Sequence, residues 1–144
     1  MSLKHKGGFS LYEVLIVLAI IAILGTFAVP MVNNVITKAK SMKIINDMKV
    51  LENSIIQYYY NENDFPTDIN SLIVNNYLEN TVENINFNFD SNVAYVYYDK
   101  EISNADNFEK LDTTFKWSSS ISDFSSLADA PSETEKYPVL KVIF

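Results

Sequence analysis

Glu13 is the residue that most demands a chemical account. It stands near the start of KGGFSLYEVLIVLAIIAILGTFAVP (residues 6–30), just before an uncharged run from Val14 to Thr37. A carboxylate at bilayer depth costs about 2.5–3.5 kcal/mol on insertion scales, and more when deep and isolated. A cation held in the same apolar surroundings would attract it far more strongly than in water.

Other chemistry is scarce. There is no cysteine or arginine, the histidine is His5, and the glycines are Gly7, Gly8 and Gly25. Beyond the apolar run this excludes a Ser-His-Asp or Cys-His nucleophile, a His-ligated zinc and a P-loop. A glycosidase-type carboxylate pair is not excluded by composition, but no spacing indicates one. Asp123, Asp129, Glu133 and Glu135 are acids of one Ser-rich stretch. They are either calcium ligands, since hard cations want clustered oxygens, or a solvated acidic loop; the spacing favours the loop. Tyr58, Tyr59, Tyr60, Tyr95, Tyr97 and Tyr98 could stack on sugars or bases, but such residues more often fill a helix–sheet core.

The elements that must position these groups follow from periodicity. The apolar run is long enough to cross a bilayer core of about 30 Å, with the membrane segment at about 14–32. Val32, Val35, Ala39, Met42, Ile45, Met48, Leu51, Ile55 and Tyr58 then continue an apolar stripe between charged residues. One helix is predicted over residues 9–60, about 75–80 Å long. Gly25 and Pro30 mark a bend or local loosening. Thr67 or Asp68 can cap a short helix using Ile69, Leu72, Ile73 and Tyr77. Strands are predicted at 85–89, 93–98, 113–117 and 137–144, with a hairpin joining the first two and a surface loop over 118–135. The class is α+β: a long N-terminal helix, membrane-spanning then amphipathic, packed against a small antiparallel β-sheet head at 61–144. That head is too small to bury enough apolar area alone.

The 144 residues hold eleven lysines and eighteen acids, for a net charge of −7. That balance makes nucleic acid a poor partner. Lys4 and Lys6 precede the run, with no acid among the first twelve residues. The N-terminus is therefore expected on the cytoplasmic side of the membrane, with the remainder exported. Lys38, Lys40, Lys43 and Lys49 read as the wet face of the helix; contact with anionic headgroups or a neighbouring subunit is the alternative.

The opening segment resembles the N-terminal signature of the type IV pilin and type II secretion pseudopilin superfamily. A basic leader ends in Gly8, followed by Phe9, Glu13, an unbroken apolar run and Pro30. The resemblance covers roughly residues 6–32. It implies cleavage between Gly8 and Phe9 by a membrane-embedded prepilin peptidase, and N-methylation of Phe9. It also implies that Glu13 pairs with the amino terminus of a neighbouring subunit, and that Pro30, with Gly25, bends the helix. Residues 1–8 would be a cytoplasmic leader. The partners implied are further copies of the chain, the inner-membrane assembly platform, minor pilins and the membrane. Such a chain is the substrate of an enzyme rather than an enzyme, and needs no cofactor. Calcium gains a second ground here, because major secretion pseudopilins carry a late calcium loop.

Four alternatives stand beside a pilus-like filament subunit. One is a pseudopilin of a secretion or DNA-uptake machine, toward which the missing cysteines tilt. Another is a monomeric membrane-anchored binding or hydrolytic domain. The last two are a secretory signal peptide cut near Thr26–Ala28 and a plain signal anchor.

Overall fold

The computed structural model describes residues 8–102 and 105–144, without the side chains of 28–30. Lys4 and Lys6 therefore lie outside the described residues, as does the side chain of Pro30. The element order is α1 (Leu11–Glu62), α2 (Ile69–Val74), β1 (Ile85–Asp90), β2 (Val93–Tyr98), α3 (Ala105–Glu109), β3 (Lys116–Ser118) and β4 (Tyr137–Ile143). The chain divides into two compact units after Thr37.

The first unit is the apolar part of α1, which is helical through Gly25 and Pro30. It is long and apolar enough to cross a membrane, and none of its most apolar window is buried within the chain. Its threonine hydroxyls are satisfied locally: Thr26 donates to the Ile23 carbonyl at 2.7 Å and Thr37 to the Asn33 carbonyl at 3.0 Å. Returning a hydroxyl to the helix's own carbonyls is what an apolar environment requires.

The second unit, Lys38–Phe144, is a helix–sheet layer. The sheet order is β1-β2-β4-β3, antiparallel throughout. β1 and β2 form the expected hairpin, turning at Ser91, which adopts a positive φ of 56°. Alternation sends Ala94 and Val96 of β2, Ile85 of β1, and Leu140 and Val142 of β4 into one core with Met48, Leu51 and Ile55 of α1. The helix stripe is thus divided. Its later part is covered by the sheet, whereas Val32, Val35 and Met42 stay exposed. Ser41, not Met42, is buried on the covered side. Ser54 is also buried there, and its hydroxyl lies 2.8 Å from the Tyr77 carbonyl and 2.9 Å from that of Val50.

Asp68 caps α2: its carboxylate accepts from the Ser71 amide at 2.7 Å, completing a capping box. The strand expected over 113–117 is shorter and later. Asp112 accepts from the Thr114 amide and hydroxyl at 2.9 and 2.6 Å, so a turn occupies the expected strand start. Pro138 lies opposite Trp117 in the β3–β4 pair. Trp117 exchanges both backbone hydrogen bonds, each 2.9 Å, with Ala128 instead, so the missing proline donor is not needed. The loop over 118–135 therefore covers the edge of β3 rather than hanging free.

α3 has no counterpart among the elements expected from the sequence. It buries Phe108 edge-on against Phe115 and Trp117, at centroid distances of 5.1 and 5.6 Å. Just after it, Asp112 forms an ion pair with Lys49 of α1. Burial pushes the Asp112 carboxyl up, but hydrogen bonds from Lys49 and Thr114 outweigh it and hold the group below its ordinary value. Glu52, beside this pair, shifts the other way: burial raises it, Lys49 offsets part of the rise and Asp112 adds to it.

A carboxyl with a depressed folded pKa stabilises the fold above its unfolded value, about 3.9, and loses that contribution as pH falls through the folded value. Lys49 remains 41% exposed, so water screens the pair, and the hydrogen bonds set the scale. Asp112→Asn in the unit 38–144 is expected to cost about 1–2 kcal/mol at pH 7, or about 5–15 °C in Tm. The deficit should close as pH falls below about 4. Thermal melts of both proteins between pH 2.5 and 7 check this; a deficit independent of pH would refute the role of the charge.

Candidate functional site: the N-terminal turn of the apolar helix

Gly8, Phe9 and Ser10 precede α1 in non-helical conformation. Phe9 is 91% exposed. No atom lies within 4 Å of the place a Cβ on Gly8 would occupy, so the fold makes no demand for glycine there. The helix starts on a local cap from Ser10 and Glu13 that makes the glutamate half of a capping box. The Ser10 hydroxyl accepts from the Tyr12 amide at 3.3 Å, and Glu13 Oε2 accepts from the Ser10 amide at 2.8 Å. One carboxylate oxygen thus satisfies an amide that the helix leaves orphaned. Glu13 Oε1 has no hydrogen-bond partner among the described residues.

This local partner of Glu13 is absent from the expectations above, although serine three residues before glutamate at the edge of an apolar run is its signal. It changes the chemistry available to Glu13. The charge sits in the first turn of α1, where the helix dipole favours an anion, and one oxygen stays open to a cation. Around it, Leu11, Tyr12, Val14 and Leu15 are exposed. Gly25 lies farther along the same helix, and there too a Cβ would meet nothing within 4 Å.

The remaining candidates are dispersed. Asp123 accepts from the Ser125 amide at 2.9 Å, and that bond holds its carboxyl below the usual range. Asp129 is paired with Lys116, which likewise holds it low. Glu135 is bound by the Ser132 and Thr134 hydroxyls. Among the described residues no three carboxylates stand close enough to share a cation. Each of these three acids is engaged by its own neighbourhood. Serine and an aromatic ring organise the loop instead. The buried Ser118 hydroxyl lies 2.7 Å from the Ser120 carbonyl and 3.1 Å from that of Asp123. Phe124 stacks on Tyr95 at 5.1 Å.

The tyrosines make no shared platform. Tyr58 and Tyr98 pack against the core, Tyr95 and Tyr97 hold Phe124, and Tyr59 joins a cluster with Phe65 and Phe144. Tyr60 is exposed.

Comparison with known proteins agrees with the N-terminal geometry. The family model described as the prokaryotic N-terminal methylation motif matches residues 3–29. The chain is 34% identical over 67 residues to type II secretion system core protein G of Aeromonas hydrophila, covering 46% of this chain and 47% of that protein. It is 34% identical over 65 residues to the core protein G of Vibrio cholerae serotype O1, covering 45% of this chain and 44% of that protein. The matches thus span less than half the length of these curated relatives. No solved structure matches. A capped apolar helix with its acid in the first turn, a matching methylation motif and a small antiparallel head together mark the chain as a bearer of the N-terminal signature of type IV pilins and type II secretion pseudopilins.

Proposed function

We propose that the chain is a structural subunit that is cut between Gly8 and Phe9, N-methylated at Phe9 and polymerised through its apolar helix into a type IV pilus-like filament. The observation that carries this reading is Glu13. Its carboxylate begins an apolar helix with one oxygen in the cap and the other open. Cleavage creates an ammonium at Phe9, with an ordinary pKa of about 7.7–8.0, and methylation keeps its charge. The Phe9 ammonium of the next copy meets the open oxygen. Because both charges lie in apolar surroundings, their pairing fixes one axial step between subunits, as a buried polar pair fixes register.

In this reading the glycine at position 8 serves the peptidase, since the fold does not require it. Before assembly the subunit is anchored by α1 with its amino terminus cytoplasmic; afterwards the helices are bundled in the filament core with the heads outside. Prepilin peptidase, the inner-membrane assembly platform and minor pilins are its partners. No cofactor takes part.

A secretion pseudopilin is the second reading, favoured by the likeness to core protein G. Electron microscopy of the cell surface separates the two, because a surface pilus gives extended fibres and a pseudopilus does not. Terminal sequencing of the membrane-extracted protein is expected to begin at N-methylated Phe9. A first residue at Val29 would instead establish a cleaved signal peptide, and an intact leader would establish a plain anchor.

A further inference from the structure

The two edges of the sheet differ. β3 is covered, because Trp117 exchanges its backbone hydrogen bonds with Ala128 of the loop beyond it. β1 is the other edge, and no backbone group among the described residues bonds along its outer side. Two bonds fix which groups face that side. The Asp99 amide donates to the Asn84 carbonyl at 2.9 Å, and the Phe144 amide donates to the Asn92 carbonyl at 2.9 Å. Carried along the registers, both bonds turn the backbone groups of Asn86, Asn88 and Asp90 toward β2. Those of Ile85, Phe87 and Phe89 therefore point away from the sheet. Ile85 is only 1% exposed, whereas Phe87 and Phe89 are half-buried and Asn88 and Asp90 are exposed. The open stretch is 86–90. It holds no lysine or proline, the residues that usually blunt an edge, and its one charge is Asp90 at the end. The Phe89 amide donates to the side chain of Asn88, at 2.9 Å from Oδ1.

We propose that this edge pairs with the same edge of a second copy of the chain, antiparallel and centred on Asn88. In that register the open stretch is complementary to itself on both faces. On the core side Phe87 stands across from Phe89 of the other copy, an aromatic cross-strand pair. On the outer side Asn86 stands across from Asp90, an amide donor facing a carboxylate, and Asn88 faces Asn88. No carboxylate faces a carboxylate. A centre at Phe87 would call on Ile85, which is buried, and a centre at Phe89 would call on Ser91, which belongs to the turn. The amide and carbonyl of Phe87 bond those of Phe89 in the other copy. Asn88 gives up the Phe89 amide, which frees its side chain for its counterpart. The contact is isologous and lies wholly within the second unit, so it needs neither cleavage at Gly8 nor a membrane. One strand pair buries less than the roughly 1,200 Å² of a stable interface, so single copies associate transiently and crowded copies associate more.

The chain has no cysteine, so introduced thiols report the contact without background. The test uses the full chain in detergent micelles and follows disulfide-linked dimers on mild oxidation. Asn88→Cys places two thiols on a non-hydrogen-bonded pair, where Cα atoms lie about 4.5 Å apart and a disulfide can close. It is expected to form the dimer at least about tenfold faster than Lys141→Cys, an exposed control on the interior strand β4. Asn86→Cys alone should dimerise slowly, because its counterpart lies about 13 Å away along the strands. An equal mixture of Asn86→Cys and Asp90→Cys chains should instead give the mixed dimer as readily as Asn88→Cys gives its own. Equal rates for Asn88→Cys and Lys141→Cys overturn the pairing. A mixture that crosslinks no faster than Asn86→Cys alone overturns it too, because the thiols would then be meeting by collision and not in register.

Discussion

Glu13→Gln is expected to insert into the membrane and lose its leader like the native chain, yet to leave cells with almost no filaments. The substitution separates two roles that one side chain combines. A glutamine oxygen still accepts from the Ser10 amide, so the cap that starts α1 survives. What disappears is the negative charge that a neighbouring Phe9 ammonium would meet. Insertion should become no harder, because a charge at the edge of the apolar run is removed. Assembly should become harder. Removing one member of a buried ion pair typically costs about 3–5 kcal/mol, because the other charge is left without a partner. That corresponds to more than about a hundredfold in each association step. Ser10→Ala is the matching control: it removes the acceptor for the Tyr12 amide at a cost of about 1 kcal/mol, and should leave filaments nearly intact. Filament yield by shearing and immunoblot, with cleavage scored by terminal sequencing, measures both. Native filament yield from Glu13→Gln would sink the register role; a worse defect in Ser10→Ala would assign the position to capping alone.

Much of this is legible in the chain because the responsible physics is local. Period-two alternation in INFNF marks β1, which runs Ile85–Asp90, and Thr67 or Asp68 ahead of a helical apolar pattern marks the start of α2, where Asp68 is the cap. The apolar run of α1 is plain because membrane-spanning helices answer to hydropathy more than to tertiary context. The methylation motif is legible too, since its residues lie within one short segment. The departures arise where distant residues decide. Thr113 and Thr114 have strand-like side chains, but Asp112, fixed by Lys49 far away in sequence, turns the backbone there. Met42 sits on the apolar stripe by spacing, yet Ser41 is buried instead, because which residues face the sheet depends on where the head meets the helix. Phe124 reads as part of a polar loop because serines and Asp123 surround it in sequence; only the tertiary fold shows it against Tyr95. α3 is five residues long, too short for a helical period to register.

That short helix nevertheless governs the head. Phe108→Ala is expected to destabilise the unit 38–144 by about 3–5 kcal/mol, lowering its Tm by about 12–30 °C. Phe108 is fully buried, and its ring meets Phe115 and Trp117 edge-on, so truncation leaves a cavity and removes two aromatic contacts. Its carbonyl also accepts from the Leu111 and Asp112 amides at 3.0 and 3.3 Å, which sets the turn presenting Asp112 to Lys49. Because that carbonyl remains in the variant, the loss should come from packing, and Phe108→Leu should recover more than half of it. Domains of this size have about 5–15 kcal/mol to lose, so the alanine variant should be partly unfolded at 37 °C if the head lies at the lower end. Thermal and urea melts of the three proteins decide the matter. A fall of less than about 4 °C would show that α3 lies outside the cooperative core. In cells the two mutations should then diverge. The cleavage proposed between Gly8 and Phe9 would fall within the methylation motif matched at residues 3–29, so Phe108→Ala should still be processed and then degraded, whereas Glu13→Gln should persist as a processed, stable and unassembled subunit.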